Sequence, residues 1–153
     1  MTVRPLAPAE IPGLARALAD VPLMVRYGRE APALERTLSA AHARGEGLLV
    51  AEEGGELRGL AWFLREGTLG MGGYLRLIAM LPGAEGKGLG AALLAAFEAE
   101  TAARSGHAFL LVSDFNEGAQ RFYERHGYER VGAMPGLVLA DVAELLYWKR
   151  LGR

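Results

Sequence analysis

Residues 80–94 read Met80-Leu81-Pro82-Gly83-Ala84-Glu85-Gly86-Lys87-Gly88-Leu89-Gly90-Ala91-Ala92-Leu93-Leu94, a glycine-rich turn that leads directly into an alanine- and leucine-rich helix. Glycine at positions 86, 88 and 90 leaves backbone N–H groups uncovered by side chains. The helix N-terminus adds unpaired amides and the positive end of the helix dipole, and Lys87 adds a cation. The stretch therefore predicts an anion-binding turn, with an ordinary loop before a helix as the alternative.

The composition favours one domain over residues 1–153, long enough to bury a core without disulfides. Seventeen Lys and Arg residues against 18 Asp and Glu residues give a formal net charge of −1. This balance provides no positive field that would attract nucleic acid or an anionic membrane. The absence of cysteine excludes a disulfide framework, a thiolate metal site and a cysteine nucleophile.

No stretch of the sequence has the pattern of a targeting or membrane segment. The first six residues, Met1-Thr2-Val3-Arg4-Pro5-Leu6, contain no apolar signal-peptide core. No uninterrupted apolar run approaches the roughly 20 residues of a membrane-spanning helix. We therefore predict a cytoplasmic protein without a membrane partner.

Hydrophobic periodicity and turn residues predict a mixture of strands and helices. Apolar runs predict strands at residues 2–5, 47–53, 57–65, 74–81, 107–112, 128–134 and 143–151. Helical spacing predicts helices over residues 9–20, 32–45 and 88–105 and a short helix capped by Asn116, whereas residues 21–28 are predicted to be irregular. The run at 107–112 lacks polar alternation, which predicts a strand buried on both faces. The order predicts an α/β (α+β) fold with a mixed sheet of about six to seven strands, about four helices and a parallel crossover through residues 88–105.

The glycine turn shares features with two known phosphate-binding motifs. A P-loop requires glycine five positions before the Gly-Lys pair and Ser or Thr after it, but Leu81 and Gly88 occupy those positions. The dinucleotide fingerprint is met in relaxed form by Gly86, Gly88 and Ala91, with Asp114 at a suitable distance for a ribose contact. It remains the lesser alternative, because residues 82–85 separate the first glycine from the strand.

Three features follow one another in a characteristic order. They are Met80-x-Pro82 with Glu85-Gly86-Lys87-Gly88-Leu89-Gly90, then Asn116-x-x-Ala119-x-x-Phe122-Tyr123-Glu124-x-x-Gly127-Tyr128, then a closing strand over residues 144–151. Together they resemble the pyrophosphate loop, the later helix and the last strand of the GNAT superfamily of acetyl-CoA-dependent N-acyltransferases. The two motifs cover roughly residues 74–134.

The resemblance implies a GNAT-like sheet, acetyl-CoA as the acyl donor and no metal. It implies that the backbone of Ile78, Ala79 and Met80 pairs with the pantetheine arm and that the Met80 N–H points at the thioester oxygen. It also implies that the pyrophosphate is held by Gly86, Lys87, Gly88, Leu89, Gly90 and Ala91. Glu85 stands where the family usually has Gln or Arg, and its negative charge is expected to weaken binding somewhat.

Tyr123 matches the family's tyrosine and is the candidate general acid. A phenol with a pKa of about 10 can protonate a thiolate whose thiol pKa is about 8.5. Without the flanking motif, a core aromatic on an amphipathic helix would be the better interpretation. Asn116 lies seven residues earlier, on the same side of the helix, where it is placed to bond pantetheine or water as well as to cap the helix.

The sequence identifies neither the general base nor the acceptor. Glu52, Glu66 and Asp114 are candidate bases, each more typical of a solvated charge, and a water relay is an equal alternative. His42, His107 and His126 have no metal-ligand spacing. Arg26, Tyr27, Arg29 and Trp62 are candidates for lining an acceptor site.

The prediction is an N-acetyltransferase that transfers the acetyl group directly from acetyl-CoA to a primary amine. The acceptor is left open between a small molecule, such as an amino acid or an aminoglycoside-like compound, and a protein N-terminus. A non-catalytic module that senses acyl-CoA is the main alternative, and a small dinucleotide-binding domain is less favoured. The resemblance also implies a possible homodimer through an exposed strand near the C-terminus.

Overall fold

The structure, a computed structural model, describes residues 1–152. Its helices are α1 (Ile11–Leu18), α2 (Pro22–Arg26), α3 (Ala31–Ala43), α4 (Leu89–Ala102) and α5 (Glu117–Arg125), with a 3₁₀ turn at Pro8–Glu10 before α1. Its strands are β1 (Thr2–Pro5), β2 (Gly47–Glu53), β3 (Glu56–Thr68), β4 (Gly72–Met80), β5 (His107–Ser113), β6 (Glu129–Pro135) and β7 (Ala143–Arg150). The predicted strands all form, because apolar runs bounded by turn residues are a local signal.

One mixed sheet contains all seven strands, in the order β1-β2-β3-β4-β5-β7-β6. The β4–β5 pair is parallel and the other five pairs are antiparallel. The predicted α/β fold with a parallel crossover through α4 is therefore confirmed. A dinucleotide-binding sheet is mostly parallel, so the dinucleotide alternative is wrong.

Residues 21–28, predicted to be irregular, contain the short helix α2. Pro22 occupies its first turn, where the missing N–H costs nothing, and Gly28 with φ of +67° ends the turn that follows. The prediction was wrong because proline, which breaks a helix in its interior, is favoured at the first helical position that Pro22 occupies. The helix places Tyr27 immediately after its C-terminus, a position that becomes important at the site.

Side chains of β2 and β3 alternate between two hydrophobic cores, one on each face of the sheet. On one face, α4 and α5 pack through residues such as Leu93, Phe97 and Tyr123. On the other face, α1 and α3 pack against β2, β3 and β4. The prediction that β5 is buried on both faces is wrong, because α1 and α3 cover only the half of the sheet that contains β2, β3 and β4 and do not reach β5. Along β5, buried Ala108, Leu110 and Val112 alternate with half-buried neighbours.

The longest helix is α4, whose 14 residues span about 21 Å, less than the roughly 30 Å of a bilayer's hydrocarbon core. Its buried residues include Leu89, Leu93, Leu94 and Phe97, which pack against the sheet. Across residues 1–152, no helix combines the length and the apolar character that crossing a membrane requires.

Candidate active site

The site is organised by a split between the parallel strands β4 and β5. Three consecutive residue pairs, from Gly73 with Ala108 to Leu75 with Leu110, join the two strands. Beyond Leu75, β4 continues to pair with β3 as far as Met80 but no longer pairs with β5. The backbone of β4 from Arg76 to Met80 therefore presents one edge that no strand covers.

A β-bulge lies at the point where the strands separate. Trp62 of β3 pairs with Leu77 and the next residue, Phe63, pairs with Leu75, so Arg76 is an additional residue on β4. Bulges bend a strand and increase its twist, which accounts for the departure of β4 from β5. The bulge also shifts the alternation of side chains, so that Leu75 and Leu77 contribute to opposite cores.

The split opens into a cavity of about 370 Å³, within the size range of small-molecule sites. Because the sheet is parted there, one cavity is lined from both of its faces. Residues of α5 and β5 line one side, and residues of α2, α3, β3 and the β6–β7 connection line the other. The polar and charged side chains among the lining residues are Tyr27, Arg29, Thr37, Trp62, Tyr74, Arg76, Ser113, Asn116, Tyr123 and Glu144.

Tyr123 lies at the cavity on α5, between two aromatic neighbours. Its ring packs edge-on against Phe122 and Tyr128, with centroid distances of 5.1 and 5.7 Å. The side chain is buried, and that burial raises the pKa of the phenol. Tyr123 is therefore protonated throughout the neutral range, which is the form that a general acid requires.

Asn116 caps α5 as predicted and also lines the cavity. Its Oδ1 accepts a hydrogen bond of 3.2 Å from the backbone N–H of Ala119. Gln120 further secures the turn, because its amide donates to the carbonyls of Ser113 and Asp114. The cap fixes where α5 begins and hence where Tyr123, two turns later, meets the cavity.

We expect Asn116→Ala to lower the free energy of unfolding by about 1 kcal/mol, because a Ser, Thr, Asn or Asp cap is lost. In a domain of this size that loss corresponds to roughly 2–4 °C in melting temperature. Thermal denaturation followed by circular dichroism measures the change. Asn116→Asp, which keeps a capping oxygen, serves as the control and should melt near the wild-type temperature. An alanine variant as stable as the wild type would contradict the capping role.

The glycine turn lies between β4 and α4 and is open to solvent. Gly86 and Gly88 have φ values of +76° and +77°, and a Cβ added at either would meet nothing within 4 Å. Gly88 is the N-cap of α4, so the free amides of the first helical turn face this open space. The Glu85 carboxylate accepts a 3.0 Å hydrogen bond from the N–H of Gly83.

The structure brings together only part of the predicted site. Ile78, Asn116 and Tyr123 line the cavity, whereas the side chain of Ala79 packs in the opposite core and Met80 packs beside the α4 core. The residues of the glycine turn lie outside the cavity, beyond the end of β4, and are Gly86, Lys87, Gly88, Leu89, Gly90 and Ala91. The roles predicted for Ala79, Met80 and the glycine turn involve mainly backbone groups, and those backbone groups are at the split or beyond it.

Glu144 is a site residue that the sequence interpretation missed. It is the second residue of the closing strand β7, its exposed fraction is 7%, and it lines the cavity. The hydroxyl of Tyr27 donates to Glu144 Oε2 at 2.5 Å and also lies 2.5 Å from Ser113 Oγ. A lone carboxylate inside a strand otherwise rich in apolar residues was the available signal.

The three carboxylates considered as bases lie elsewhere. Glu52 forms an ion pair of 2.9 Å with Arg4, and Glu66 lies 3.7 Å from Arg104 on the surface. Asp114 accepts a 3.0 Å hydrogen bond from the N–H of Ala143. None of the three lines the cavity, so none is placed to act on a bound amine.

The four residues suggested for the acceptor site separate into two groups. Tyr27, Arg29 and Trp62 line the cavity. Arg26 does not; it lies 4.9 Å above the ring of Phe115 and 3.8 Å from Asp141. Arg76, on the bulge, covers the Trp62 ring at 4.5 Å and adds a second arginine to the lining.

Two of the three histidines, His107 and His126, make hydrogen-bonding contacts within the fold. His126 Nδ1 lies 2.7 Å from the carbonyl oxygen of Phe122, and His107 Nδ1 accepts from Trp148. Among the residues that the structure describes, no group of three or more His, Cys, Asp or Glu side chains is placed to hold a metal ion.

The sequence matches the family model described as the acetyltransferase (GNAT) family over residues 15–128. The chain belongs to the GNAT family. That match covers β4 and β5, which form the split, the glycine turn, and α5, which contributes to the cavity. As a GNAT enzyme, the protein is an acetyl-CoA-dependent acyltransferase, with acetyl-CoA as its acyl donor. Among curated protein sequences, none matches this chain significantly.

Solved structures share the GNAT fold over the whole chain. A GNAT acetyltransferase from Bacillus cereus has 15% identity and a TM-score of 0.82, with 99% of this chain and 98% of that chain covered. A ribosomal-protein-alanine N-acetyltransferase from Brucella melitensis has 18% identity and a TM-score of 0.76, with 99% and 100% covered. An aminoglycoside 6'-N-acetyltransferase complexed with coenzyme A has 18% identity and a TM-score of 0.80, with 100% and 99% covered. The last two proteins are named for different acceptors, so the fold does not determine the acceptor of this GNAT member.

Proposed function

We propose that the protein is a single-domain N-acetyltransferase that transfers the acetyl group of acetyl-CoA directly to a primary amine. The observation that carries the proposal is the split between β4 and β5, with Tyr123 at the cavity and an open glycine turn beyond the end of β4. A direct transfer suits a site that holds donor and acceptor together, and the cavity is lined from both faces of the sheet.

The residues present fit acetyl-CoA. The uncovered edge of β4 over residues 76–80 offers peptide groups to the amide groups of a pantetheine arm. The free amides at the start of α4, with Lys87 nearby, suit a pyrophosphate. The Glu85 carboxylate, expected to oppose that anion, is hydrogen-bonded to Gly83, and we assign it a minor effect.

Acetyl-CoA supplies a thioester whose carbon is attacked by the amine and whose sulfur leaves. Tyr123, kept protonated by burial, donates its proton to that sulfur. The Met80 N–H, at the end of β4, polarises the thioester carbonyl by donating a hydrogen bond to it. Asn116 bonds the pantetheine or a water with the part of its amide that the helix cap does not use.

Calorimetric titration of the protein with acetyl-CoA, with NAD in a parallel titration, tests the cofactor part of the proposal. We expect saturable binding of one acetyl-CoA per chain and no comparable binding of NAD. The absence of acetyl-CoA binding, or tighter binding of NAD, would overturn the proposal.

Turnover is measured with a thiol-reactive dye that detects released CoA. Because the protein has no cysteine, it contributes no thiol background to this assay. Thiol release that depends on an added amine distinguishes an enzyme from an acyl-CoA sensor. Binding without release for any amine in a broad panel would favour the sensor. The cytoplasmic location and the homodimer remain predictions.

A further inference from the structure

Glu144 is a buried carboxylate with no cationic partner in the part of the chain that the structure describes. The ion pairs of residues 1–152 do not include it. Its polar neighbours are two hydroxyls, those of Tyr27 and Ser113. A buried charge is normally paired, because neutral donors compensate its lost hydration only in part. The position of Glu144 on the cavity wall indicates that a cationic ligand completes the arrangement.

The hydroxyl pair orients the carboxylate. Burial, together with the adjacent Glu144 carboxylate, raises the pKa of Tyr27, so the phenol keeps its proton. Tyr27 gives its proton to Glu144 Oε2, and Ser113 Oγ lies 2.5 Å from the Tyr27 oxygen and 3.5 Å from Glu144 Oε2, so the two hydroxyls and the carboxylate form one cluster. The strands and α2 thus position Glu144, and its second oxygen, Oε1, is available to a ligand.

The rest of this half of the cavity is largely apolar and has positive charge at its rim. Arg29 and Arg76 line it with exposed side chains. The apolar wall comes from three parts of the chain, namely Leu23 and Met24 of α2, Ala33 and Leu34 of α3, and Leu137 and Val138 of the β6–β7 connection. Such a lining favours one ammonium group at Glu144 on an apolar body and disfavours a second cation near the arginines.

We propose that this half of the cavity is the acceptor site, that Glu144 binds the acceptor's ammonium group and takes its proton, and that the acceptor is a monoamine with an apolar body. The inference rests on the proposed acetyltransferase function and adds the residue and the substrate class to it. A small molecule and the apolar first residue of a peptide both present such an amine, and the chemistry recognised is the same.

The proposed reaction conserves atoms and protons. The ammonium group gives one proton to the Glu144 carboxylate, which releases it to solvent. The nitrogen lone pair attacks the thioester carbon, so that a C–N bond forms and the C–S bond breaks. The sulfur takes the Tyr123 proton, and the second proton lost by nitrogen returns to the Tyr123 oxygen through solvent. The products are an acetamide and the CoA thiol, with one proton released.

The first test compares Glu144→Gln with the wild type, using 2-phenylethylamine as the acceptor. Glutamine keeps an oxygen that accepts from Tyr27 but removes the charge and the base. We expect kcat/KM for the amine to fall at least about 100-fold, as is typical when a general base is lost. We also expect the binding of 2-phenylethylamine to the CoA-saturated protein, measured by calorimetry, to weaken at least about 10-fold, because a charge-assisted contact is removed.

Two controls separate this inference from the proposed function and from misfolding. Acetyl-CoA affinity and melting temperature are measured for each variant, and both should stay near the wild-type values in Glu144→Gln. Asp141→Asn removes an exposed carboxylate three residues away and should leave turnover unchanged. Unaltered amine turnover in Glu144→Gln would overturn the inference while leaving the acetyltransferase intact. Failure of the wild type to bind acetyl-CoA would overturn the proposed function instead.

The second test addresses the substrate class. The wild type is assayed with 2-phenylethylamine, with a tripeptide amide that begins with leucine, and with spermidine. We expect at least one of the two apolar amines to exceed spermidine about 10-fold or more in kcat/KM, because the rim arginines repel further cations. The ratio between the two apolar amines distinguishes a small-molecule acceptor from a peptide. The substrate class would be contradicted if spermidine were the preferred acceptor. It would also be contradicted if the protein bound acetyl-CoA but turned over neither apolar amine.

Discussion

Gly88→Glu is expected to weaken acetyl-CoA binding at least about 100-fold, equivalent to about 2.7 kcal/mol. Gly88 caps α4 in a left-handed conformation, and the space beside its Cα is open. A carboxylate there would occupy the region in which we place the pyrophosphate. Two like charges about 4 Å apart repel by about 4 kcal/mol at an effective dielectric constant near 20. The repulsion from one added carboxylate is therefore large enough to cause the expected loss of binding free energy.

Gly55→Glu is the control for the backbone strain that Gly88→Glu introduces. Gly55 has φ of +78° in the β2–β3 turn, and a Cβ added there also meets nothing within 4 Å. Both variants should lose a similar amount of stability, roughly 1–2 kcal/mol for a side chain in this conformation. Only Gly88→Glu should lose acetyl-CoA affinity in calorimetry. Equal affinity in the two variants would place the pyrophosphate elsewhere.

Tyr123→Phe is expected to lower kcat about 100-fold or more, the usual contribution of a positioned general acid. Acetyl-CoA affinity should change little, because the ring remains and only the hydroxyl is lost. Since burial raises the pKa of Tyr123, the wild-type rate should show no alkaline decline from this group below about pH 10, its ordinary pKa. The measurement is a steady-state pH–rate profile by thiol release for both proteins.

Tyr128→Phe is the matched control for Tyr123→Phe. Tyr128 is also buried, and its ring packs against Tyr123, but its hydroxyl donates to Glu98 at 2.8 Å and does not line the cavity. We expect a stability loss of about 1 kcal/mol or somewhat more and a nearly unchanged kcat. If Tyr123→Phe were as active as this control, another group or solvent would have to protonate the sulfur.

The candidate site was predictable where a short motif carries its own chemistry. The glycine turn and the Asn116 cap were both found in this way, because glycine conformation and helix capping depend on residues close in the chain. Glu144 was not found, because its significance comes from burial and from partners distant in sequence. Tyr27 is 117 residues away from it and Ser113 is 31 residues away.

The sequence by itself determined the order of the strands, the helices other than α2, and the loop at the start of α4, since these follow from local periodicity and turn chemistry. The family was indicated by the resemblance of its motifs. Tertiary structure alone decided where the sheet parts, because the bulge at Arg76 is a matter of register between β3 and β4. Tertiary structure also decided which half of the sheet is covered on its second face by α1 and α3. The packing of α2 beside the half of the sheet that α1 and α3 leave uncovered brings Tyr27 to Glu144. Glu144 thus becomes a site residue through tertiary packing, which no local sequence pattern encodes.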